Sequence, residues 1–253
     1  MQITGMLWGR KLLDLVEFPH SEVRGPELSV DDIKDMIKRH GQIFIKPVFK
    51  GGVGKKGKSG LLGRVDNITD ALKEKERLYF AEHVDGFNKV KSDGVTYEGA
   101  VPADYEVYFS ITESTEHRSP VMTVTHHGGV DIEELDPSKL AVVPFDPLTG
   151  LKAFHVSNAL MDLGAPPQVI SPLVQNLPKL WDLYNNYGMW MLELNPIRMQ
   201  PGKGGRLAPI ACDFKCAFDQ DDPSWKRLHL PSNLFASDYS EFEQEINQLR
   251  TYQ

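Results

Sequence analysis

Cysteine is almost absent from this chain: 253 residues carry only two, Cys212 and Cys216. Thiols four positions apart cannot staple a fold of this size, so free buried thiols and a reducing, cytoplasmic compartment are expected. They lack the second ligand pair that a structural zinc site needs. Long apolar runs are missing as well. Nothing approaches the ~20 residues that span a bilayer, and residues 1–12 have no basic stretch followed by an apolar one, so neither membrane insertion nor secretion is expected. Excess positive charge is also lacking: 28 Lys and Arg against 35 Asp and Glu leave a formal charge of -7. That balance argues against nucleic acid or an anionic membrane as a partner for the whole surface, and any anion site has to be local. There is no repeat and no low-complexity tract. Apolar residues at 41% and charged residues at 25% describe an ordinary globular chain.

Short apolar runs alternate with helical periods, which predicts a mixed chain of helices and strands. Ser29 and Asp32 form a capping box ahead of Ile33, Met36 and Ile37, with Gly41 as the stop. Strands are expected at 43–45, 61–65, 78–80 and 95–97, with a polar helix over 67–77. Tyr105, Val107, Phe109 and Ile111 alternate with Glu106, Tyr108 and Ser110, the period of a half-buried strand. A further strand is expected over 121–125. Helices follow at 153–163 and 169–184, the second broken by Pro178, then strands at 190–194 and 207–214, and a polar helix over 238–249.

Two segments carry candidate chemistry. Lys46, Lys50, Lys55, Lys56 and Lys58 are interleaved with Gly51, Gly52, Gly54, Gly57, Gly60 and Gly63 in a net acidic chain. Glycines allow close backbone approach and lysines add charge, which suits a polyphosphate, although a solvated loop has the same composition. The stretch matches both G-x-G-x-x-G and G-x-x-x-x-G-K-[ST]. Both motifs need a helix immediately afterwards, and Gly60-Leu61-Leu62-Gly63-Arg64-Val65 reads as a strand. A hairpin flap is expected instead. In the second segment, a glycine turn centred on Gly204 leaves Asn195 and Asp213 equidistant on either side, with Glu193 and Lys215 two residues further out on the same face. Oxygens converging in this way suit Mg²⁺; an Asn-Pro turn and a surface Asp–Lys pair are the plainer alternative.

These residues fall into an ordered set: Ile45-Lys46-Pro47, GKKGKSGL at 54–61, HHGGVDIEE at 126–134, DPLTG at 146–150, and ELNPI at 193–197 followed by Asp213-Phe214-Lys215. The set resembles the ATP-grasp part of ATP-citrate lyase, citryl-CoA synthetase and the succinyl-CoA synthetase β subunit. The resemblance implies an α+β ATP-grasp fold of two subdomains with nucleotide between them. The smaller would span 22–97 and the larger 1–21 with 98–236, while 237–253 would be a helix leading towards an absent CoA-ligase domain. It implies ATP and Mg²⁺ as cofactors. Lys46 would contact the phosphates, and Lys55, Lys56 and Gly57 would cover them. Glu98, Gly99, Ala100 and Val101 would form the adenine hinge, and Glu106 would bind ribose. Asn195 and Asp213 would ligate the metal, and Glu193 would help position a phosphohistidine. His126 and His127, adjacent on a strand, are expected on opposite faces with no shared role. His127 stands where relatives often carry Glu.

The family's phosphorylated histidine belongs to a CoA-ligase module for which no segment here remains. The expected function is therefore the phosphoryl-donating part of a citrate–CoA or succinate–CoA ligase, inactive alone. Its partner would carry the phosphohistidine and bind most of the acid and CoA, within an oligomer. The alternatives are an ATP-grasp carboxylate–amine or carboxylate–thiol ligase and a nucleotide-sensing module without chemistry.

Overall fold

The computed structural model describes residues 1–49, 60–85, 88–129, 132–219, 221–231 and 234. In chain order the elements are β1 (Gln2–Thr4), α1 (Met6–Asp14), β2 (Val23–Arg24), α2 (Val30–His40), β3 (Ile43–Pro47), β4 (Gly63–Val65), α3 (Ile68–Tyr79), β5 (Glu82–Asp85), β6 (Asn88–Lys91), β7 (Val95–Gly99), β8 (Glu106–Ser114), β9 (Ser119–Thr125), β10 (Ala141–Pro144), α4 (Ala153–Asp162), α5 (Pro167–Asn176), α6 (Lys179–Asn186), β11 (Met189–Pro201), β12 (Leu207–Ala211) and β13 (Lys215–Phe218). Among these residues no helix is long and apolar enough to cross a membrane.

Two antiparallel sheets carry the site. The smaller runs β2-β7-β3-β4; the larger runs β1-β13-β11-β8-β9-β10, with β12 also paired to β11. Each has its own apolar core. Ile33, Met36, Ile43, Ile45, Ala71, Leu78 and Tyr97 pack under the small sheet. Phe109, Ile111, Val156, Leu173, Leu183, Leu194, Ile197 and Phe214 belong to the core of the large one. Each sheet is covered by its own set of helices, and so each has its own core.

Local sequence explains most boundaries. Ser29 accepts from the Asp32 N–H, the Asp32 carboxylate returns to the Ser29 N–H, and Gly41 at φ 70 ends α2; such a cap contributes about 1 kcal/mol. The expected helix over 169–184 divides at Leu177-Pro178 into α5 and α6, where the Pro178 ring has no N–H to continue the ladder, while Pro172 is carried within α5. β3 and β4 pair antiparallel around the lysine–glycine loop, and β4 rather than a helix follows it, so neither helix-dependent phosphate motif has its helix. Loop residues 50–59 lie outside the described residues, as does the expected helix over 238–249.

One strand expectation is overturned. Leu78 and Tyr79 end α3 and Phe80 is its C-cap. Leu78 falls seven residues, two helical turns, after Ala71, so both reach the same core. Phe80 is left 76% exposed against Tyr79. The β5–β6 hairpin follows, unannounced by any apolar alternation.

Candidate functional site: a cleft between the two sheets

Lys46 sits on β3 between Ile45 and Pro47, whose burial alternates with its own, so its side chain leaves the small core. Lys46 pairs with Thr96 and Phe44 with Glu98 across β3 and β7. Lys46 and Glu98 are therefore diagonal neighbours on one face, and Nζ donates to Glu98 Oε2 at 2.6 Å. Their side chains are only 17% and 5% exposed. Burial pulls the Lys46 pKa down, but the charges of Glu98 and then Asp213 outweigh it and hold the ammonium above the ordinary lysine value. The charge of Asp213, in the link between β12 and β13 of the large sheet, therefore acts on the same cation.

The hairpin supplies Asp213. Ile197 pairs with Ala211 and Arg198 with Ile210; Glu193 pairs with Lys215 and Leu192 with Cys216. Both stretches have the same register about Gly204, and the Cys212 N–H donates to the Pro196 carbonyl at 3.0 Å between them. Asn195 thus faces Asp213, as the symmetric placement predicts. The register is constant, but the alternation of faces is not. Leu194 and Ile197 both reach the core, and so do Ala211 and Phe214. Asn195-Pro196 on one strand and Cys212-Asp213 on the other are therefore consecutive pairs turned out of it. β11 gains one residue over β8 at the same point, where Leu194 pairs with Phe109 and Ile197 with Val107. This is the local re-aiming that a bulge produces. The Asn195–Pro196 peptide is cis.

That change of phase gives Arg198 a place on the cleft. Strict alternation from Asn195 would put it in the core. Instead its Nη1 donates to the Val101 carbonyl at 2.9 Å and its Nη2 to Glu106 Oε1 at 2.5 Å. Glu106 is fixed from a second side by the Gly128-Gly129 turn. The Gly128 N–H donates to the Glu106 carbonyl at 2.8 Å, and the Gly129 N–H donates to Asn195 Oδ1 at 2.9 Å. A Cβ on Gly129 would lie 1.8 Å from Glu106 Oε2, and its φ is +74. The turn thereby links Glu106 to Asn195. Read from the sequence, Gly128-Gly129 is only a chain break and Arg198 is unremarked; a lone arginine in a strand of otherwise core-facing alternation was the available signal.

The hinge candidates are more committed than the sequence suggests. Glu98 and Gly99 remain inside β7. The Gly99 N–H donates to the Glu22 carbonyl at 2.9 Å and the Ala100 N–H to the Gln42 carbonyl at 3.0 Å. Those two N–H groups are therefore spent on the small sheet. Glu22 is itself held at a pKa of about 2 by hydrogen bonds from Arg39, against the opposing effect of burial, with His40 and Arg24 adding to the depression.

Glu193 lies between Ser110 of β8 and Lys215 of β13. Burial, and then the Glu193 charge, push the Tyr108 hydroxyl up to about 12. Cys212 is half-buried beside the cleft and Cys216 is fully buried; both are free. Burial drives the Cys212 thiol up to about 12, against the nearby cations Arg198 and Lys46, so it stays protonated and unreactive at neutral pH. Lys55, Lys56 and Gly57 lie outside the described residues.

The expectation for His126 and His127 fails. β9 stops at Thr125, so strand alternation no longer applies, and the rings face each other with centroids 4.2 Å apart. They line a cavity of about 480 Å³ with Asp104, Glu106 and Pro166. Burial, then His127, lowers the His126 pKa. Among the described residues there is no group of three or more His, Cys, Asp or Glu that could hold a metal.

Two antiparallel sheets, with the charge of Asp213 from the large one acting on Lys46 of the small one, agree with a match of residues 16–199 to the ATP-grasp domain family. The chain belongs to the ATP-grasp family. Within it, the chain is similar to subunits of ADP-forming acid–CoA ligases. It is 29% identical over 200 residues to a succinate–CoA ligase [ADP-forming] β subunit of Desulfatibacillum aliphaticivorans, covering 77% of this chain and 51% of that protein. It is 29% identical over 196 residues to an ADP-forming sulfoacetate–CoA ligase subunit of Bilophila wadsworthia, covering 76% and 48%. The chain thus spans about half the length of these relatives. In fold it is similar to ATP citrate lyase of Methanothrix soehngenii, with a TM-score of 0.67, 19% identity, and coverage of 100% of this chain and 61% of that one.

Proposed function

We propose that this ATP-grasp domain binds Mg·ATP and donates its γ-phosphoryl group within an acid–CoA ligase. The observation that carries this reading is the charge of Asp213 acting on Lys46, with Asn195 in register with Asp213 and tied through Gly129 to the turn against Glu106. Lys46 supplies positive charge for the phosphates, assisted by the loop lysines Lys55 and Lys56 and the backbone of Gly57. Entry of a phosphate competes with Glu98 for the ammonium, while Asp213 remains close to it. Glu98, Gly99, Ala100 and Val101 border the base; with the Gly99 and Ala100 N–H groups already spent, base recognition falls to the remaining backbone groups of this segment. Glu106 receives the ribose.

Asn195 and Asp213 fit Mg²⁺, because both present hard oxygens and the Asp213 carboxylate is anionic. When bound, the ion supplies neutralisation of phosphate charge. Glu193 orients the accepting imidazole of a partner CoA-ligase module. Phosphoryl transfer depends mostly on positioning and charge stabilisation, and this chain furnishes the donor half. In the full assembly the phosphoryl group passes from that histidine to a carboxylate, and CoA displaces it to give a thioester. Citrate is the acid favoured by the resemblance of the lysine–glycine loop to the citrate enzymes. Succinate is favoured by the Desulfatibacillum aliphaticivorans relative. A reducing, cytoplasmic setting suits both.

The test is to incubate the chain with ATP and Mg²⁺, then add citrate or succinate with CoA, and measure nucleotide binding, ADP and thioester. Binding without thioester is expected from the chain alone. Robust CoA-dependent ADP release would overturn the division of labour and favour a self-contained ATP-grasp ligase. Absence of ATP binding would overturn the site.

A further inference from the structure

Arg198 spans two structural units that a nucleotide would have to meet together. Its guanidinium donates to the Val101 carbonyl, at the end of the segment that leaves the small sheet, and to the Glu106 carboxylate, at the start of β8 in the large one. Two acceptors on one planar fork fix both direction and distance. The bulge at Asn195-Pro196 is what aims Arg198 into the cleft rather than the core. On the far side of the carboxylate, Gly129 leaves room for Oε2 that any side chain would fill. Glu106 is therefore held in one orientation by a donor on Oε1 and a glycine against Oε2.

We propose that Arg198 is a positioning residue that sets sugar specificity, by presenting the Glu106 carboxylate to the vicinal hydroxyls of a ribonucleotide. This rests on the reading of the cleft as a nucleotide site. A carboxylate has about four acceptor positions, so the bond from Arg198 leaves capacity for two hydroxyl donors. Arg198 also offsets the Glu106 charge, which would otherwise oppose a polyphosphate in the same cleft. Neither role requires Arg198 to touch the ligand. Both side chains are partly accessible, 30% and 29% exposed, as ligand access demands.

The experiment compares ATP with 2′-deoxy-ATP and 3′-deoxy-ATP by calorimetry with Mg²⁺, on the wild-type protein and on Arg198→Met, Arg198→Lys, Glu106→Gln and Arg198→Met/Glu106→Gln. Wild type is expected to prefer ATP by about tenfold or more, the size of one charge-assisted hydrogen bond. Arg198→Met is expected to weaken ATP about tenfold and the deoxynucleotides about threefold or less, so that the preference collapses. Arg198→Lys keeps the charge but cannot span both acceptors, and is expected to recover part of the preference. The double variant is expected to be no weaker than Glu106→Gln. Should Arg198→Met fail to fold by thermal melting, Arg198→Lys carries the same comparison. Equal loss for ATP and both deoxynucleotides would mean a merely structural arginine and would overturn this inference while leaving the nucleotide site standing. No ATP binding by the wild-type protein would overturn both.

Discussion

Removing Lys46 should destabilise the fold more than removing its partner Glu98, even though both delete the same ion pair. The pair is close, 2.6 Å from Nζ to Oε2, and its side chains are 17% and 5% exposed. Deleting one member of a buried pair costs about 3–5 kcal/mol, mostly because the survivor is left charged and unpaired. The two survivors differ here. Lys46→Met takes from Glu98, at 4% exposure, the cation 2.6 Å from its Oε2 and keeps the Asp213 carboxylate in its neighbourhood, so a loss at the lower end of that range, about 3 kcal/mol, is expected. Glu98→Gln leaves Lys46 with Asp213 still acting on it and a neutral acceptor at the same position. About 1–3 kcal/mol is expected, the range for a buried group that has lost its best partner. The double variant Lys46→Met/Glu98→Gln should cost less than the sum of the singles, by about 2 kcal/mol, as contacting residues do. Urea unfolding followed by circular dichroism, with an unchanged m-value across the set, measures all four corners. The sign with pH is also determined. The Lys46 amine is held above its ordinary value, so its contribution is fully present below about pH 10 and is lost only as pH rises through the folded value. The Lys46→Met penalty should therefore be flat between pH 6 and 9. A Glu98→Gln penalty equal to or larger than that of Lys46→Met, or a coupling under about 0.5 kcal/mol, would refute the role given to Asp213 and the pairing itself.

Asp213→Asn should weaken ATP markedly with Mg²⁺ present and little without it, measured by titration calorimetry at both conditions; equal weakening would remove Asp213 from the metal site. Gly129→Ala should displace Glu106, since its Cβ would land 1.8 Å from Oε2 at a φ of +74. The left-handed backbone alone costs about 1 kcal/mol for a residue with a Cβ; ATP binding should fall together with thermal stability, and an unaffected affinity would contradict the Glu106–Gly129 contact. Glu22, held at about 2 chiefly by Arg39, contributes stability above the ordinary glutamate value that is lost as pH falls from about 4.3 towards its folded value. Glu22→Gln should flatten the acid limb of the stability–pH curve between about pH 4.3 and 2, and an unchanged limb would count against that cluster.

Local chemistry was legible in the chain. The Ser29–Asp32 cap, the break at Pro178 and the strand after the lysine–glycine loop each depend on neighbours a few positions apart, whereas the strand expected to be half-buried over 105–111 is buried on both faces, with Tyr108 and Ser110 as well as Phe109 and Ile111 inside. The opposition of Asn195 and Asp213 was also legible, because a hairpin centred on Gly204 converts sequence symmetry into register. Where a segment had two local solutions, only packing chose. Leu78-Tyr79-Phe80 is apolar enough for a strand, but Leu78 reaches the small core one helical face along from Ala71. The site's finer construction was decided by the large sheet. Alternation from Asn195 assigns Arg198 to the core, and alternation from Thr125 separates His126 from His127. The paired phase change at Asn195-Pro196 and Cys212-Asp213 reverses the first, and the end of β9 reverses the second. Both depend on how many residues of one strand lie opposite how many of the next, a count that exists only once the strands have met.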